Sequence, residues 1–320
     1  MNFQLKKIQE IVVITADLRG MVDLFCEYGG WGHFSVGKTD PSVLAAWQLL
    51  DEASATEALV QYMDIPFGRI RFVQITGVKQ EKMRPATKIW DTGGIADIDI
   101  RVNDIYSVYN DLTDRGWSGA AEPMALPITA FTIDEALVSN ADSMMIALAK
   151  RYFPPLDLVK GKQFASHIYL SAMVVRDLAI GTDFFTQKLG FQLVNDGLSV
   201  EFPPNAPTNF GVPHNFSDQF QFVLSLYSPD GTRDTMCECI EIKGLTGHDY
   251  SSRCAPPNRG ILSYRVEVVN IVNYLNFVTN NGVEPIVALS KQRWGGVGLV
   301  QSFIVESPDG AWVEFFEVER

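Results

Sequence analysis

Two carboxylates lie inside segments that otherwise have the composition of buried strands. Glu314 is flanked by large apolar residues in Trp312–Val318, directly after the turn Pro308-Asp309-Gly310. Glu238 has the same place in residues 236–242, and both segments run apolar, apolar, Glu, apolar, apolar, Glu, apolar. Glu is depleted in strands, and a carboxylate in a closed interior is costly unless it is paired or bound to a metal. Each of these carboxylates therefore either faces water or has a chemical role.

The histidines and cysteines add few candidates of their own. His167 begins a predicted strand, whereas His214 and His248 lie in loop-like segments, where we expect surface positions. Cys237 and Cys239 lie two residues apart, but no second pair completes a zinc site. With only four cysteines in the chain, the pattern indicates reduced thiols rather than a disulfide framework.

Composition and charge narrow the class of protein. The chain has 320 residues, of which 47% are hydrophobic and 20% charged, and its formal net charge is -12. An acidic chain of this kind is a poor ligand for nucleic acid or for an anionic membrane. The N-terminal residues lack the long apolar region of a signal peptide or a membrane span, so we expect a cytoplasmic protein.

A weak internal repeat organises the whole chain. Each of four copies has an apolar strand, an Asp or Asn that suits a helix N-cap, an amphipathic helix, a Gly that suits the helix end, and about three further strands. The capping residues are Asp17, Asp104, Asp177 and Asn270. The chain is therefore predicted to contain four βαβββ modules.

These modules predict an α+β fold. One module cannot bury both faces of its sheet, but two modules side by side make a strongly curved sheet around a cavity, with helices outside. We expect consecutive modules to pair, with the join near Phe153-Pro154-Pro155. This predicts an N-terminal domain of residues 1–155 and a C-terminal domain of residues 156–320.

The repeat and its motifs resemble the vicinal oxygen chelate superfamily, which includes glyoxalase I, bleomycin-resistance proteins and extradiol dioxygenases. The resemblance covers nearly the whole chain, in the four-module, two-barrel form. It is clearest in the C-terminal half, in His167-Ile168-Tyr169-Leu170, in the helix end Phe184-Phe185-Thr186-Gln187-Lys188-Leu189-Gly190-Phe191, and in Pro308-Asp309-Gly310-Ala311-Trp312-Val313-Glu314.

The resemblance implies a metal site in the C-terminal domain. Family ligands come from the first and last strands of paired modules, which here correspond to His167, Glu238 and Glu314, with Ser263 at the fourth position. One imidazole and two carboxylates suit a divalent ion such as Zn, Ni, Mn or Fe(II). Glu238 is then also the candidate catalytic base. Glu241 and Glu317, the second carboxylates of the two Glu-x-x-Glu segments, are expected to be solvated.

The same comparison suggests a function. It implies a metal-dependent lyase or isomerase that acts on a small substrate with adjacent oxygens. An extradiol ring-cleaving dioxygenase and a metal-free, resistance-type binding protein remain alternatives. The corresponding N-terminal positions are Glu10, Asp97, Phe72 and Ala147, so we interpret that half as degenerate. Exchange of modules between chains would also permit a homodimer.

Overall fold

The computed structural model describes residues 2–49, 52–85, 88–128 and 131–319, and these form four modules. The first two modules contain β1 (Gln4–Ile14), α1 (Leu18–Asp23), β2 (Gly32–Lys38), α2 (Pro41–Ala46), β3 (Ser54–Gln61), β4 (Arg69–Thr76), β5 (Asp97–Arg101), α3 (Ile105–Asp114), β6 (Ser118–Gly119), β7 (Met124–Ala125), β8 (Thr132–Ser139) and β9 (Met145–Phe153).

The third and fourth modules repeat this order. They contain β10 (Leu170–Val174), α4 (Leu178–Asp183), β11 (Gln192–Glu201), β12 (Gln221–Ser228), β13 (Cys237–Lys243), β14 (Gly260–Val269), α5 (Ile271–Asn280), β15 (Val287–Trp294), β16 (Gly298–Glu306) and β17 (Trp312–Val318). Single π-helical turns, Leu24–Tyr28 and Phe184–Lys188, extend α1 and α4, and short 3₁₀ turns cover His214–Phe216 and Ser251–Arg253. The predicted α+β fold of curved sheets with helices outside is confirmed.

The predicted helix boundaries are also present. The four capping side chains accept hydrogen bonds from backbone N–H groups in the first turns of α1, α3, α4 and α5. Each corresponding helix segment is followed by a Gly with positive φ, at Gly30, Gly116, Gly190 and Gly282. These signals are local in sequence, which is why the sequence alone could predict them.

The pairing of modules differs from the prediction. Sheet I has the strand order β15-β16-β17-β14-β1-β4-β3-β2, and sheet II has the order β11-β12-β13-β10-β5-β9-β8-β6, with β7 paired to β8. Modules 1 and 4 therefore share sheet I, and modules 2 and 3 share sheet II. The expected division into 1–155 and 156–320 is wrong for the sheets, because neither half forms a sheet of its own.

The lengths of the first strands explain this pairing. β1 has 11 residues and pairs antiparallel with β14, which has 10. β5 and β10 have 5 residues each and pair with one another. Pairing a short first strand with a long one would leave backbone N–H and C=O groups without partners. Matched lengths therefore favour the non-consecutive pairing, which all takes place within one chain.

One apolar cluster joins the two sheets through their helix-covered faces. It includes Val13 and Phe315 from sheet I, Ile100 and Met173 from sheet II, and Tyr274 from α5. The Pro-Asp-Gly turn adds a polar link, since Asp309 Oδ1 accepts a 2.9 Å hydrogen bond from Arg176 Nε of module 3. Among the described residues, none of the helices has the length and hydrophobicity needed to cross a lipid bilayer.

Candidate functional site in the interior of sheet II

The interior of sheet I is filled by a network of buried charges. It contains three carboxylates, Glu10, Glu57 and Glu314, and three guanidinium groups, Arg69, Arg71 and Arg265. Arg265 Nε donates to Glu314 Oε2 at 2.5 Å, and Arg71 Nε donates to Glu10 Oε2 at 2.8 Å. The Arg265 guanidinium lies 3.7 Å from the Trp294 ring centroid. The opposing charges balance, so this interior stabilises itself without an added ion.

Glu10, which pairs with all three arginines of this network, is held in the ionised form. Burial alone would raise the pKa of Glu10, but the guanidinium groups of Arg71, Arg265 and Arg69 outweigh burial and lower the pKa to about 2. Glu314 is fully buried, and Ser302 Oγ and Arg265 Nε contact its two oxygens. The predicted ligand Glu314 is therefore one half of a buried ion pair.

Sheet II instead encloses a cavity of about 260 Å³. Residues from modules 2 and 3 both line it, which explains why neither half of the chain would form it alone. Its polar lining includes four carboxyl groups, from Asp97, Asp99, Glu135 and Glu238. Its apolar wall includes Leu126, Ile133, Leu198, Phe210, Phe222 and Leu224. A small cavity with an apolar wall and a few converging polar groups is typical of a ligand site.

Strand register places these carboxyl groups in rows across the sheet. Asp97 lies opposite Ala172, which lies opposite Glu238, so the two carboxyls flank β10. Asp97 and Asp99 are two residues apart on β5 and therefore share its inner face. Each carboxyl influences the pKa of the other. Two carboxyls thus share one row, and Asp99 lies two residues further along β5 in the same mostly apolar enclosure.

Burial makes these groups weak acids. It raises the pKa of Asp97 to about 6 and that of Asp99 well above the ordinary range, where the nearby Asp97 and Glu238 add to the effect. Burial and the charge of Asp97 raise the pKa of Glu135 to about 7, even though Asn209 Nδ2 donates a 2.7 Å hydrogen bond to it. The pKa of Glu238 is raised in the same way. Carboxyls of this kind can donate a proton or a hydrogen bond near neutral pH.

Three arginines lie at the other end of the cavity. Arg101 is at the end of β5, Arg151 lies near the end of β9, and Arg233 precedes β13. The Arg101 guanidinium stacks 4.2 Å from the Tyr169 ring centroid, and that of Arg151 lies 5.1 Å from Phe131. Among the described residues none of the three arginines has a carboxylate within ion-pair distance. This end of the cavity therefore carries uncompensated positive charge.

Three polar atoms that line the cavity are buried without a hydrogen-bond partner among the described residues. They are Asp99 Oδ2, Asn209 Oδ1 and Arg151 Nε. A buried polar atom without a partner costs about 1–3 kcal/mol, so such atoms are uncommon. A molecule or water bound in the cavity would supply partners for these three atoms.

The structure does not bring the predicted metal ligands together. Glu238 lines the sheet II cavity, Glu314 and Ser263 belong to sheet I, and His167 lies outside both interiors. His167 Nε2 is 2.7 Å from the backbone oxygen of Asp234, and its ring packs edge-on against Phe67. No group of three or more His, Cys, Asp or Glu side chains within the described residues is arranged to hold a metal ion. The ligand set assumed that modules 3 and 4 share a sheet, whereas they contribute to different sheets.

The second Glu of each Glu-x-x-Glu pair has a structural role. Glu317 accepts hydrogen bonds from the N–H groups of Asn270 and Ile271, at the start of α5. Glu241 accepts one from Leu178 N, at the start of α4. The expectation that these two residues are solvated is wrong, since each binds the helix N-terminus of its own module, where a carboxylate is favourable.

Several residues of the site were not predicted from the sequence. Module 2 supplies Asp97, Asp99 and Glu135, so the interpretation of the N-terminal half as degenerate does not hold for that module. The alternation Asp97-Ile98-Asp99-Ile100-Arg101 signals a strand with one charged face. Only the enclosure of that face identifies it as a site. His214 and His248 are exposed, as expected, and neither lines the cavity.

Comparisons with known proteins agree with this architecture. Residues 166–315 match the model of the Glyoxalase/Bleomycin resistance protein/Dioxygenase superfamily. The structure of glyoxalase I from Zea mays has a TM-score of 0.61 at 13% identity, covering 98% of this chain and 93% of that chain. A putative dioxygenase from Bacillus subtilis has a TM-score of 0.57 at 8% identity, covering 99% of this chain and 86% of that chain. At such identities the likeness shows the fold alone.

A search of curated protein sequences finds no significant match. The matched region 166–315 spans modules 3 and 4, which contribute to different sheets. The two structural relatives extend the likeness over nearly the full length. Residues 166–315 are therefore similar to the Glyoxalase/Bleomycin resistance protein/Dioxygenase superfamily, and the likeness of the rest of the chain rests on the fold.

Proposed function

We propose that this protein binds a small organic molecule in the interior of sheet II, and that it does so without a metal ion. The observation that carries this proposal is the cavity of about 260 Å³ lined by three buried polar atoms that lack partners. A ligand with matching donors and acceptors would remove the cost of leaving Asp99 Oδ2, Asn209 Oδ1 and Arg151 Nε unsatisfied. The apolar wall would bind the rest of the molecule.

The residues present do not fit a metal. The carboxyls of sheet II form no group of three or more that is arranged to hold a metal ion, among the described residues. In sheet I the carboxylates Glu10 and Glu314 already bind guanidinium groups. Neither interior combines ionised carboxylates with an imidazole. We therefore derive no step through a metal ion, and the iron-dependent dioxygenase reaction lacks its ligands among the described residues.

A metal-independent lyase or isomerase is the second candidate. It is favoured by the pKa of Asp97, about 6, and that of Glu135, about 7, which place both groups near the acid-base balance at neutral pH. Glu238, the catalytic base predicted from sequence, would belong to the same row as Asp97. For any ligand that binds, Asp97→Asn and Glu135→Gln should then abolish turnover while leaving binding largely intact.

The binding proposal can be tested by filling the cavity. Ala147 lines the cavity and lies opposite both Asp99 and Leu137 in the sheet, so Ala147→Leu places a larger side chain there. Leu137→Met nearly conserves volume at the neighbouring position and serves as the control. A library of small organic compounds is screened by thermal shift and native mass spectrometry against all three proteins.

We expect compounds that stabilise the wild type and Leu137→Met but not Ala147→Leu. Thermal unfolding and circular dichroism of the free Ala147→Leu protein establish that it is folded. Compounds that stabilise Ala147→Leu as strongly as the wild type bind elsewhere, and that result would refute the proposed site. Elemental analysis of the same samples checks the metal-free part of the proposal.

A further inference from the structure

We propose that the molecule bound in sheet II is an organic anion of the carboxylate class, with its carboxylate against Arg101 and Arg151 and its apolar body toward the inner carboxyls. This inference rests on the proposed binding function and adds the chemistry and orientation of the ligand. It follows from how charge is distributed along the cavity.

The register of the strands separates the charges along the cavity axis. Asp99 lies opposite Ala147 on β9, and two residues further along the same strands Arg101 lies opposite Ala149. Arg151 is another two residues along β9. β5 and β9 are parallel, so both guanidinium groups lie at the same end of the sheet. The row of Asp97 and Glu238 lies further from these guanidinium groups, whereas Glu135 shares the row of Arg101 through Ala149.

The guanidinium end is also the more exposed end. Arg233 is exposed and Arg101, Arg151 and Tyr169 are half-buried, whereas Asp97, Asp99 and Glu238 are buried. A ligand that enters at the exposed end meets positive charge first. Charged groups prefer to stay where they are least desolvated, so the anionic head would remain there.

Arg151 has unused binding capacity. Its Nε is buried without a hydrogen-bond partner among the described residues, and the ring of Phe131 lies 5.1 Å from its guanidinium carbon. Arg101 is held in place by stacking on Tyr169. A planar guanidinium matches a carboxylate with two parallel hydrogen bonds, which a buried water cannot reproduce. An oriented guanidinium without an acidic partner is therefore suited to a ligand carboxylate.

The remaining lining limits the rest of the molecule. Leu126 and Ile133 form an apolar wall beside Arg151, and Phe222 and Leu224 form a second apolar region beyond the row of Asp97 and Glu238. These regions would accept an aryl or short alkyl body. At the inner end, a protonated Asp99 could donate from Oδ2 to an acceptor oxygen of the ligand. A cationic ligand is disfavoured, since its charge would have to pass the three arginines.

Sets of probe compounds that share an apolar group and differ only in the polar head group test this inference. The acids are benzoate, phenylacetate and hexanoate, and each is compared with its amide and with its amine by isothermal titration calorimetry. We expect at least one acid to bind the wild type at least roughly tenfold more tightly than its amide and its amine. A charge-assisted hydrogen bond contributes about 1.5–3 kcal/mol, which corresponds to roughly tenfold to a hundredfold.

Three variants assign the head group. Arg151→Gln should weaken binding of the acid at least roughly tenfold and leave binding of the amide unchanged. Arg151→Lys keeps the charge but loses the planar fork, so an intermediate loss is expected. Arg19→Gln, at an arginine with 93% side-chain exposure on α1, is the control and should change neither.

The outcomes separate this inference from the proposed function. If amides or amines bind as tightly as the acids, and Ala147→Leu abolishes that binding, the cavity binds ligands but the anion inference is wrong. If the acids bind equally well to Arg151→Gln and to the wild type, the orientation is wrong. If no probe binds, the inference that the ligand is an organic anion is refuted. The library screen with Ala147→Leu then tests independently whether the cavity binds any small molecule.

Discussion

Replacing Glu135 by Gln should make this protein more stable at neutral and alkaline pH. Glu135 is half-buried by its overall exposure but its carboxyl faces the sheet II cavity, where burial and the charge of Asp97 raise its pKa from 4.5 to about 7. Between these two values the folded protein holds a proton that the unfolded chain has released. The folded state therefore binds more protons, and its stability falls as the pH rises through this window.

The expected size follows from the difference in proton affinity. A pKa change from 4.5 to about 7 corresponds to roughly 3 kcal/mol, because a tenfold change in affinity is worth about 1.4 kcal/mol. The wild type has this contribution at low pH and loses it by about pH 8. Gln has nearly the same shape, can still accept the hydrogen bond from Asn209, and does not titrate.

Urea unfolding of both proteins from about pH 5 to about pH 8 measures the effect. The free energy of unfolding of Glu135→Gln minus that of the wild type should grow by up to roughly 3 kcal/mol across this range. Glu284→Gln, at an exposed carboxyl, controls for the removal of one negative charge. A difference between Glu135→Gln and the wild type that stays constant with pH would refute the reasoning, since it would mean that Glu135 titrates alike in both states.

Three further predictions concern the rest of the fold. Glu314→Gln should lower the free energy of unfolding by about 3–5 kcal/mol, because it leaves the Arg265 guanidinium buried without its closest partner. A loss below about 1 kcal/mol in urea unfolding would contradict the claim that this ion pair stabilises sheet I. After soaking in zinc or manganese, His167→Ala and Glu314→Ala should contain no less metal by elemental analysis than the wild type, since neither residue belongs to a metal-binding group. Loss of a stoichiometric ion in both variants would contradict the structure. Gly68→Ala should destabilise the protein by at least about 1 kcal/mol, because Gly68 has a φ of +59° and an added Cβ would lie 2.4 Å from Ile168 O. Gly37→Ala, where nothing lies within 4 Å of the added carbon, is the control for thermal unfolding.

Repeated carboxylates illustrate how far a sequence pattern can be interpreted. The pattern at Glu238 and Glu314 correctly indicates two equivalent inward positions on the last strands of modules 3 and 4. It does not indicate that one carboxyl faces an open cavity and the other faces Arg265. The difference depends on the strand next to each, which carries Ala172 beside Glu238 and Arg265 beside Glu314. Those neighbours are remote in sequence, so no local pattern could distinguish the two sites.

The sequence by itself determined the module, with its capping residue, its helix, its terminal Gly and its alternating strands. These features depend on hydrogen bonds and burial within a few residues of each other. They are therefore the same whichever modules pair to form a sheet. It also determined that carboxylates occupy inward positions, as at Glu238 and Glu314.

Only the tertiary structure decided which modules share an interior. β1 pairs with β14, and β5 pairs with β10, so that strands of matched length satisfy each other's backbone groups. That choice joins the ion pairs of modules 1 and 4 in sheet I through Arg265 and Glu10. In sheet II, Arg101 and Arg151 have no acidic partner within ion-pair distance among the described residues. The location of the candidate site is thus a consequence of long-range strand pairing, whose energy lies in contacts between residues more than seventy positions apart.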